Sequence, residues 1–299
     1  MGDIDLTGRV AVVTGAGGGL GRTHALLLAQ RGASVVVNDL SDGAGDVVAE
    51  IAETGGNAVA NRASVADAAA AAGLVDAARE AFGRIDIVVN NAGIIRDRSF
   101  AKMTADELTE VLDVHVLGSF HVTAAAWPHL REQGYGRVVN TVSGAGLFGN
   151  FGQANYSTAK MGLVGLTRTL AAEGRKYGIA VNAVSPIAAS RMTETIMPPD
   201  VLAKLDPAHV SPVVAYLCSQ ACEESGVVVA AGGGHVARVA VVQGEGVTFD
   251  HVASPEEVSD RWTEIARLGE AREFWGGAGE QAEYVLGRLA ASSDSRRGS

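Results

Sequence analysis

The first two-thirds of the chain alternates short, wholly apolar runs with longer stretches in which apolar residues return every three or four positions. The runs at 10–14, 34–38, 58–60, 85–89, 137–142, 180–184 and 226–231 predict strands, and the stretches 20–31, 46–54, 65–82, 105–130 and 156–177 predict helices. Strands this short and apolar on both faces belong in a parallel sheet covered by helices on each side. Their alternation with helices builds right-handed βαβ units, so the expected fold is α/β, a doubly wound parallel sheet. No internal repeat or linker interrupts it, and the alanine run at 66–72 fits a surface helix, alanine being the best helix former.

The pattern changes past residue 232. Residues 236–249 read as a strand pair around Gln243 to Gly246, and 255–268 as a helix. Ser254 caps that helix, Pro255 occupies its first turn, and Glu256 and Glu257 suit the positive end of its dipole. A further helix is expected at 280–289, with disorder over 292–299. This divides the chain into a core of 1–231 and a small C-terminal extension, 232–299, packed on it.

Charge and targeting signals narrow the function classes. The 299 residues carry 24 Lys and Arg against 34 Asp and Glu, a net charge of −10, with 47% hydrophobic residues. No basic stripe suits nucleic acid, and the acidity opposes non-specific binding to anionic membranes. Local N–H groups can still hold a phosphate. The start is polar and acidic, unlike a signal peptide. Leu6 stands where a myristoylation motif needs Ser or Thr, and the final Arg-Arg-Gly-Ser is no peroxisomal address, so a cytoplasmic location is expected. Residues 138–159 lack charge but are filled with Asn, Ser, Thr, Gln and Gly, which suits a buried or active-site stretch better than a membrane span. Cys218 and Cys222 are spaced to share a helix face, yet without a nearby His or Asp they make a poor zinc site; packed, reduced thiols are expected, and no metal.

The sequence TGAGGGLG at 14–21 lies between a predicted strand and a predicted helix. Glycines there allow positive φ and close backbone approach to a pyrophosphate, and the helix N-terminus adds N–H donors and a positive dipole. Asp39, ending the second strand 24 residues after Gly15, can accept bonds from an adenosine ribose and repel a 2′-phosphate. Arg22 could meet a phosphate, but Leu40, Ser41 and Asp42 add no second cation, so NAD is expected over NADP. Asn90-Asn91-Ala92-Gly93, after the fourth strand, suits the floor beneath a cofactor.

Ser143, Tyr156 and Lys160 are spaced S-x12-Y-x3-K. Tyr156 and Lys160 share a helix face. A phenol titrates near 10, and a fixed ammonium one turn away is expected to favour the phenolate. Ser143 can donate to a substrate oxygen and align it. It has no histidine partner in a nucleophile elbow, so a hydrolase is disfavoured. Set beside a dinucleotide, the three residues suit alcohol–carbonyl interconversion.

In this order, T-G-x3-G-x-G, N-N-A-G and S-x12-Y-x3-K resemble the short-chain dehydrogenases/reductases over residues 7 to about 232. More narrowly, VVVNDL (35–40), GIIRDRSF (93–100), YGR (135–137), GNFGQANYS (149–157) and SRMT (190–193) are similar to the (3R)-hydroxyacyl-CoA dehydrogenase part of the type 2 peroxisomal multifunctional enzymes, also called type 4 17β-hydroxysteroid dehydrogenases. The resemblance implies a Rossmann-like sheet and an NAD-dependent oxidation of a (3R)-hydroxyacyl-CoA, or alternatively of a 17β-hydroxysteroid. It stops before any hydratase or sterol-carrier part. A fatty-acid-synthesis reductase is disfavoured by Asp39, and a non-catalytic nucleotide-binding protein by the intact Ser/Tyr/Lys set. It further implies that Ser143 orients substrate, Tyr156 is the acid/base, and Lys160 also holds the nicotinamide ribose. Gly15, Gly19, Leu20 and Gly21 would hold pyrophosphate, Asp39 the adenosine ribose, and Ser64 and Val65 the adenine. Asn91, Ala92 and Gly93 would lie by the nicotinamide-side ribose, and Pro186, Ala188, Ala189, Ser190 and Arg191 by the carboxamide.

Two positions depart from the family pattern. His115 stands where an Asn usually holds a relay water, and either relays a proton or fills a helix kink. Ile187 replaces the glycine of the usual Pro-Gly, which leaves the following loop's geometry open. Residues 191–207, with Met192, Ile196, Met197, Pro198 and Leu202, are an apolar candidate lid or a segment packed on the core. The apolar 114–130 and 156–177 helices would, by resemblance, form a homodimer or homotetramer interface; burial within one subunit explains them equally well.

Overall fold

The computed structural model describes residues 4–188, 202 and 204–294. The chain forms two compact units, Met1–Val239 and Ala240–Ser299. The first is built on strands β1 (Val10–Thr14), β2 (Ser34–Asn38), β3 (Ala58–Asn61), β4 (Ile87–Asn90), β5 (Gly136–Thr141), β6 (Ile179–Pro186), β7 (Val228–Gly232) and β8 (His235–Val239). Its helices are α1 (Gly19–Gln30), α2 (Gly43–Glu53), α3 (Ala68–Phe82), α4 (Ala105–Leu112), α5 (Gly118–Gln133), α6 (Gly144–Phe148), α7 (Ala154–Gly174) and α8 (Ser211–Cys218).

The strands lie in the order β3-β2-β1-β4-β5-β6-β7-β8, parallel except for the β7–β8 pair. This is the expected doubly wound, Rossmann-like α/β sheet. Alternate strand residues feed opposite cores, as the pleat requires. Ala11, Val13, Val35, Val37, Ile87 and Val89 pack with Leu28, Val47, Ile51, Val214 and Leu217 on one face. Val10, Val12, Val36, Val88 and Val138 pack with Leu74, Val75, Val122, Ala126 and Leu130 on the other. Strand order reverses between β1 and β4, which opens a crevice at the carboxyl ends of those strands.

Several expected elements take different forms. The stretch read as one helix over 105–130 is α4, a π-helical turn at Asp113–Leu117, and α5, which runs through Pro128 to Gln133. The strand pair expected at 236–249 does not form. His235–Val239 pairs instead with β7, because the tight Gly232–Gly234 turn folds it back on that open edge. The sheet-bearing unit therefore runs past 231, to Val239. Cys218 ends α8 while Cys222 lies beyond it, so the two buried free thiols share no helix.

In the second unit Ser254 and Glu257 form the expected capping box, and the helix breaks into α9 (Pro255–Asp260) and α10 (Trp262–Ile265). Helix α11 spans Ala278–Asp294, and a backbone bridge joins Gln243 to Arg272. No helix among the described residues is long and apolar enough to cross a membrane.

Candidate active site

The glycine-rich turn connects β1 to α1 at the crevice. Gly15 has φ +61°, and a Cβ there would come 2.7 Å from the Ala92 Cα, so the turn is pressed against the loop after β4. Asn91 clamps it: its side-chain amide donates to the carbonyls of Thr14 and Gly15, both at 3.0 Å. Thr14 Oγ1 in turn accepts from the N–H groups of Asn91 and Ala92. The Asn91 amide N–H groups are thus engaged with the turn, and its Oδ1 is not. The first turn of α1 has no side-chain cap and no acidic residue, and Gly18 and Gly19 face open space. Its N–H groups and dipole remain available to an anion, which fits a dinucleotide pyrophosphate near Gly19, Leu20 and Gly21.

Asp39 sits at the carboxyl end of β2, half-buried. Its Oδ2 accepts from Gly17 N–H at 3.0 Å, and its Oδ1 from the N–H and hydroxyl of Ser41 at 2.9 and 2.7 Å. Burial pulls its carboxyl upward, but these hydrogen bonds outweigh that and hold it below the usual carboxylate range. It is ionised at neutral pH, with lone pairs left for ribose hydroxyls. Past β3, half-buried Ser64 adjoins buried Val65, which packs against Gly118 and whose carbonyl lies 3.2 Å from His121 Nδ1.

Ser143 caps α6 immediately after β5, accepting from Ala145 N–H at 3.2 Å. Its hydroxyl also faces the Tyr156 phenol, close enough to favour the phenolate. Tyr156 lies on α7, whose start is pinned by Asn155: the Asn155 amide donates to the carbonyls of Arg96 (2.9 Å) and Glu107 (3.1 Å). Lys160, one turn on, is buried; its Nζ donates to the Thr141 carbonyl at 2.6 Å and lies 5.5 Å from the Tyr156 ring centroid. Thus all three residues meet at the carboxyl end of β5.

The electrostatics correct one expectation. Tyr156 is not lowered by its lysine in this structure. Burial pushes the phenol above its usual value; the Ser143 hydroxyl opposes that, and Asp97 adds to it. Lys160 is itself desolvated, its ammonium pushed down to about 7. With that charge half lost at neutral pH and directed at Thr141, burial of the phenol wins.

His115 lies in the π-helical turn, buried. Its Nε2 is 3.1 Å from Ile94 N and 2.9 Å from Ile94 O, and its ring meets Tyr156 edge-on with centroids 5.3 Å apart. Nδ1 is buried without a partner. Burial and the nearby Lys160 charge push its imidazole down to about 3, against the Ile94 hydrogen bond, so it is neutral. A Cβ at Gly93 would collide with this ring.

Pro186 ends β6, and Ile187 N–H donates to the Ala231 carbonyl at 2.8 Å. Among the described residues only glycines have positive φ, so Ile187 fits after Pro186 without left-handed backbone. Ala188 is buried. Ala189, Ser190 and Arg191 lie outside the described residues, as does the candidate lid apart from Leu202 and 204–207.

Sequence reasoning missed three long-range contacts. Gln153 Nε2 donates to Asp97 Oδ2 at 2.8 Å, joining the loop after Gly93 to the start of α7. Arg62 reaches the Asp39 loop, donating to Asp42 Oδ1 at 2.6 Å and to the Leu40 carbonyl at 3.0 Å. Glu50 holds Arg22. Each joins residues at least 20 positions apart, with no local signal. No metal-binding cluster is found among the described residues.

A glycine turn at the switch point and a Ser/Tyr/Lys cluster at the carboxyl end of β5 agree with the short chain dehydrogenase family, whose pattern matches residues 9–199. The chain belongs to the short-chain dehydrogenase family. A Mycobacterium tuberculosis protein named only as a short-chain type dehydrogenase/reductase is 55% identical to this dehydrogenase over 274 residues, 88% of this chain and 96% of its own. Peroxisomal multifunctional enzyme type 2 of Mus musculus is 48% identical over 277 residues, 88% of this chain but 37% of the mouse enzyme, so the chain spans little more than a third of that relative. Hydroxyacyl-CoA dehydrogenase ChsB1 of Mycobacterium tuberculosis is 43% identical over 240 residues, 74% of this chain and 75% of its own. The solved structure of a 7α-hydroxysteroid dehydrogenase complexed with NADH and 7-oxo glycochenodeoxycholic acid matches with a TM-score of 0.73 and 29% identity, covering 78% of this chain and 98% of that one. The dehydrogenase is accordingly an oxidoreductase acting on a small molecule, and the NADH-bound neighbour supports a nicotinamide cofactor.

Proposed function

We propose that the chain catalyses NAD-dependent oxidation of a (3R)-hydroxyacyl-CoA to the 3-oxoacyl-CoA. The observation that carries the chemistry is the meeting of Ser143, Tyr156 and Lys160 beside the glycine turn. The substrate class is supported by the hydroxyacyl-CoA dehydrogenase relative and by the peroxisomal multifunctional enzymes. NAD is supported by the ionised Asp39 at the Gly17 turn, where a 2′-phosphate would be repelled. A second reading, oxidation of a hydroxysteroid, is supported by the hydroxysteroid dehydrogenase neighbour.

In this reading Tyr156, as phenolate, takes the substrate hydroxyl proton, and Ser143 donates to the same oxygen and holds it in line. When bound, the nicotinamide supplies the acceptor for the hydride that leaves C3. Lys160, fixed by the Thr141 carbonyl one turn from Tyr156, holds the nicotinamide-side ribose. Neutral His115 braces the Tyr156 ring and the 93–94 backbone. Because burial holds the phenol protonated at neutral pH, oxidation runs faster at alkaline pH, and Tyr156 is ready as a proton donor for the reverse reaction. Exposed Leu117, Phe120 and Met161 support a homodimer or homotetramer, and the free buried thiols suit a reducing cytoplasm.

The test is direct. Purified protein should reduce NAD with (3R)- but not (3S)-hydroxyacyl-CoA, faster at pH 9 than at pH 7. Tyr156→Phe should lose at least about 100-fold in kcat, the scale of general acid–base catalysis, while still binding NAD. A Tyr156→Phe variant as active as wild type, or a wild type inert toward CoA esters but active on hydroxysteroids, would reject the primary reading.

A further inference from the structure

Two arginines flank the segments that carry the glycine turn and Asp39: Arg22 follows the turn in sequence, and Arg62 bonds the loop after Asp39. Arg22, in the first turn of α1, forks onto Glu50 of α2: Nε donates to Oε1 at 3.0 Å and Nη2 donates to Oε2. Both side chains are part-buried, 41% and 38% exposed. Arg62, beyond β3, meets Asp42, but that pair is 61% and 91% exposed and so contributes little. The Arg22–Glu50 fork differs in geometry: two parallel bonds, in a less exposed setting, hold the guanidinium in one orientation.

NADP differs from NAD only in its 2′-phosphate. In the dinucleotide reading that group would approach Asp39, which is bonded to Gly17 N–H. Arg22 N–H donates to the Gly18 carbonyl, so its backbone lies on the same short turn. Arginine is the side chain best shaped to grip a phosphate, yet here its fork is occupied.

We propose that Glu50 is a cofactor-specificity residue: by holding Arg22 in a bidentate ion pair, it keeps the cation that directly follows the glycine turn from serving a 2′-phosphate. Discrimination against NADP then has two layers, repulsion by Asp39 and sequestration of Arg22. This rests on the dinucleotide reading above. It explains why an arginine beside the turn is compatible with NAD preference, and it makes Asp39 insufficient on its own to set that preference.

Affinities of the full chain for NAD and NADP, by calorimetry, test it in Asp39→Ser and Asp39→Ser/Glu50→Gln. The NADP-to-NAD affinity ratio should rise about fivefold from the single to the double variant, the size of one part-buried ion pair. The gain should shrink with added salt and vanish when Arg22→Ala is added. A ratio unchanged between single and double variants, or a gain that survives Arg22→Ala, overturns the proposal. Should Asp39→Ser unfold the turn, Glu50→Gln in the wild-type background is read in the same way. A folded wild type that binds neither dinucleotide would instead overturn the cofactor reading, and this inference with it.

Discussion

Lys160 carries its ammonium into the interior, where the Thr141 carbonyl meets it at 2.6 Å. Burial pushes its pKa from 10.5 down to about 7. The folded state therefore holds fewer protons than the unfolded state between pH 7 and 10.5, and stability rises with pH across that window. Below pH 7 the cost of the buried charge is borne in full. Lys160→Met removes the charge but leaves the Thr141 carbonyl without its donor, a partly offsetting loss. The expected result is a variant more stable than wild type by about 1–3 kcal/mol at pH 6, with the advantage shrinking by pH 9, and with little remaining turnover. Urea unfolding at the two pH values measures this; an advantage that grows with pH would show the sign to be wrong. The i,i+4 spacing made the shared face of Tyr156 and Lys160 legible in sequence. That burial would raise the phenol was not legible, because desolvation depends on neighbours distant in sequence.

Between elements, α1 and α8 are joined by a buried polar contact. His24 Nδ1 lies 2.8 Å from Ser211 Oγ, and its Nε2 has no partner. Burial pushes the imidazole down to about 3. The unfolded state binds the extra proton first, so stability is full above pH 6.5 and is lost as pH falls toward 3. In His24→Leu, Ser211 still donates to Thr23 Oγ1 at 2.9 Å. The stability lost between pH 7 and 4.5 should then be smaller than in wild type by about 2 kcal/mol; equal losses would show that His24 does not titrate as its burial requires. Elements with a strong period were readable: all seven expected strands form, because each is a run of apolar residues between polar turns. The π-helical turn around His115 was not, since inserting one residue into a helical ladder leaves the hydrophobic pattern nearly unchanged. Helix α8 was missed because Ser211-Pro212-Val213-Val214 reads equally as a strand, and β8 because its partner is chosen by the glycine turn at 232–234.

For the whole molecule, buried hydrophobic side chains are concentrated in one unit. Every one in the three cores lies between Leu6 and Ala231, and the candidate site is drawn from the same span. The second unit has 60 residues and contributes no fully buried hydrophobic side chain among those described, a size at which a lone core is marginal. Residues 1–239 should therefore fold alone, melt cooperatively and bind NAD. The end point matters because β8 covers the edge of β7, pairing from Val228 to Gly232. A fragment ending at 231, where the composition changes, strips that cover and leaves an apolar parallel strand with unpaired N–H and C=O groups. The shorter fragment should melt lower and aggregate at concentrations where 1–239 stays monodisperse, as light scattering and calorimetry would record. Failure of 1–239 to melt cooperatively would show that the sheet-bearing unit depends on the second one, and equal behaviour of the two fragments would show that β8 is dispensable to the sheet.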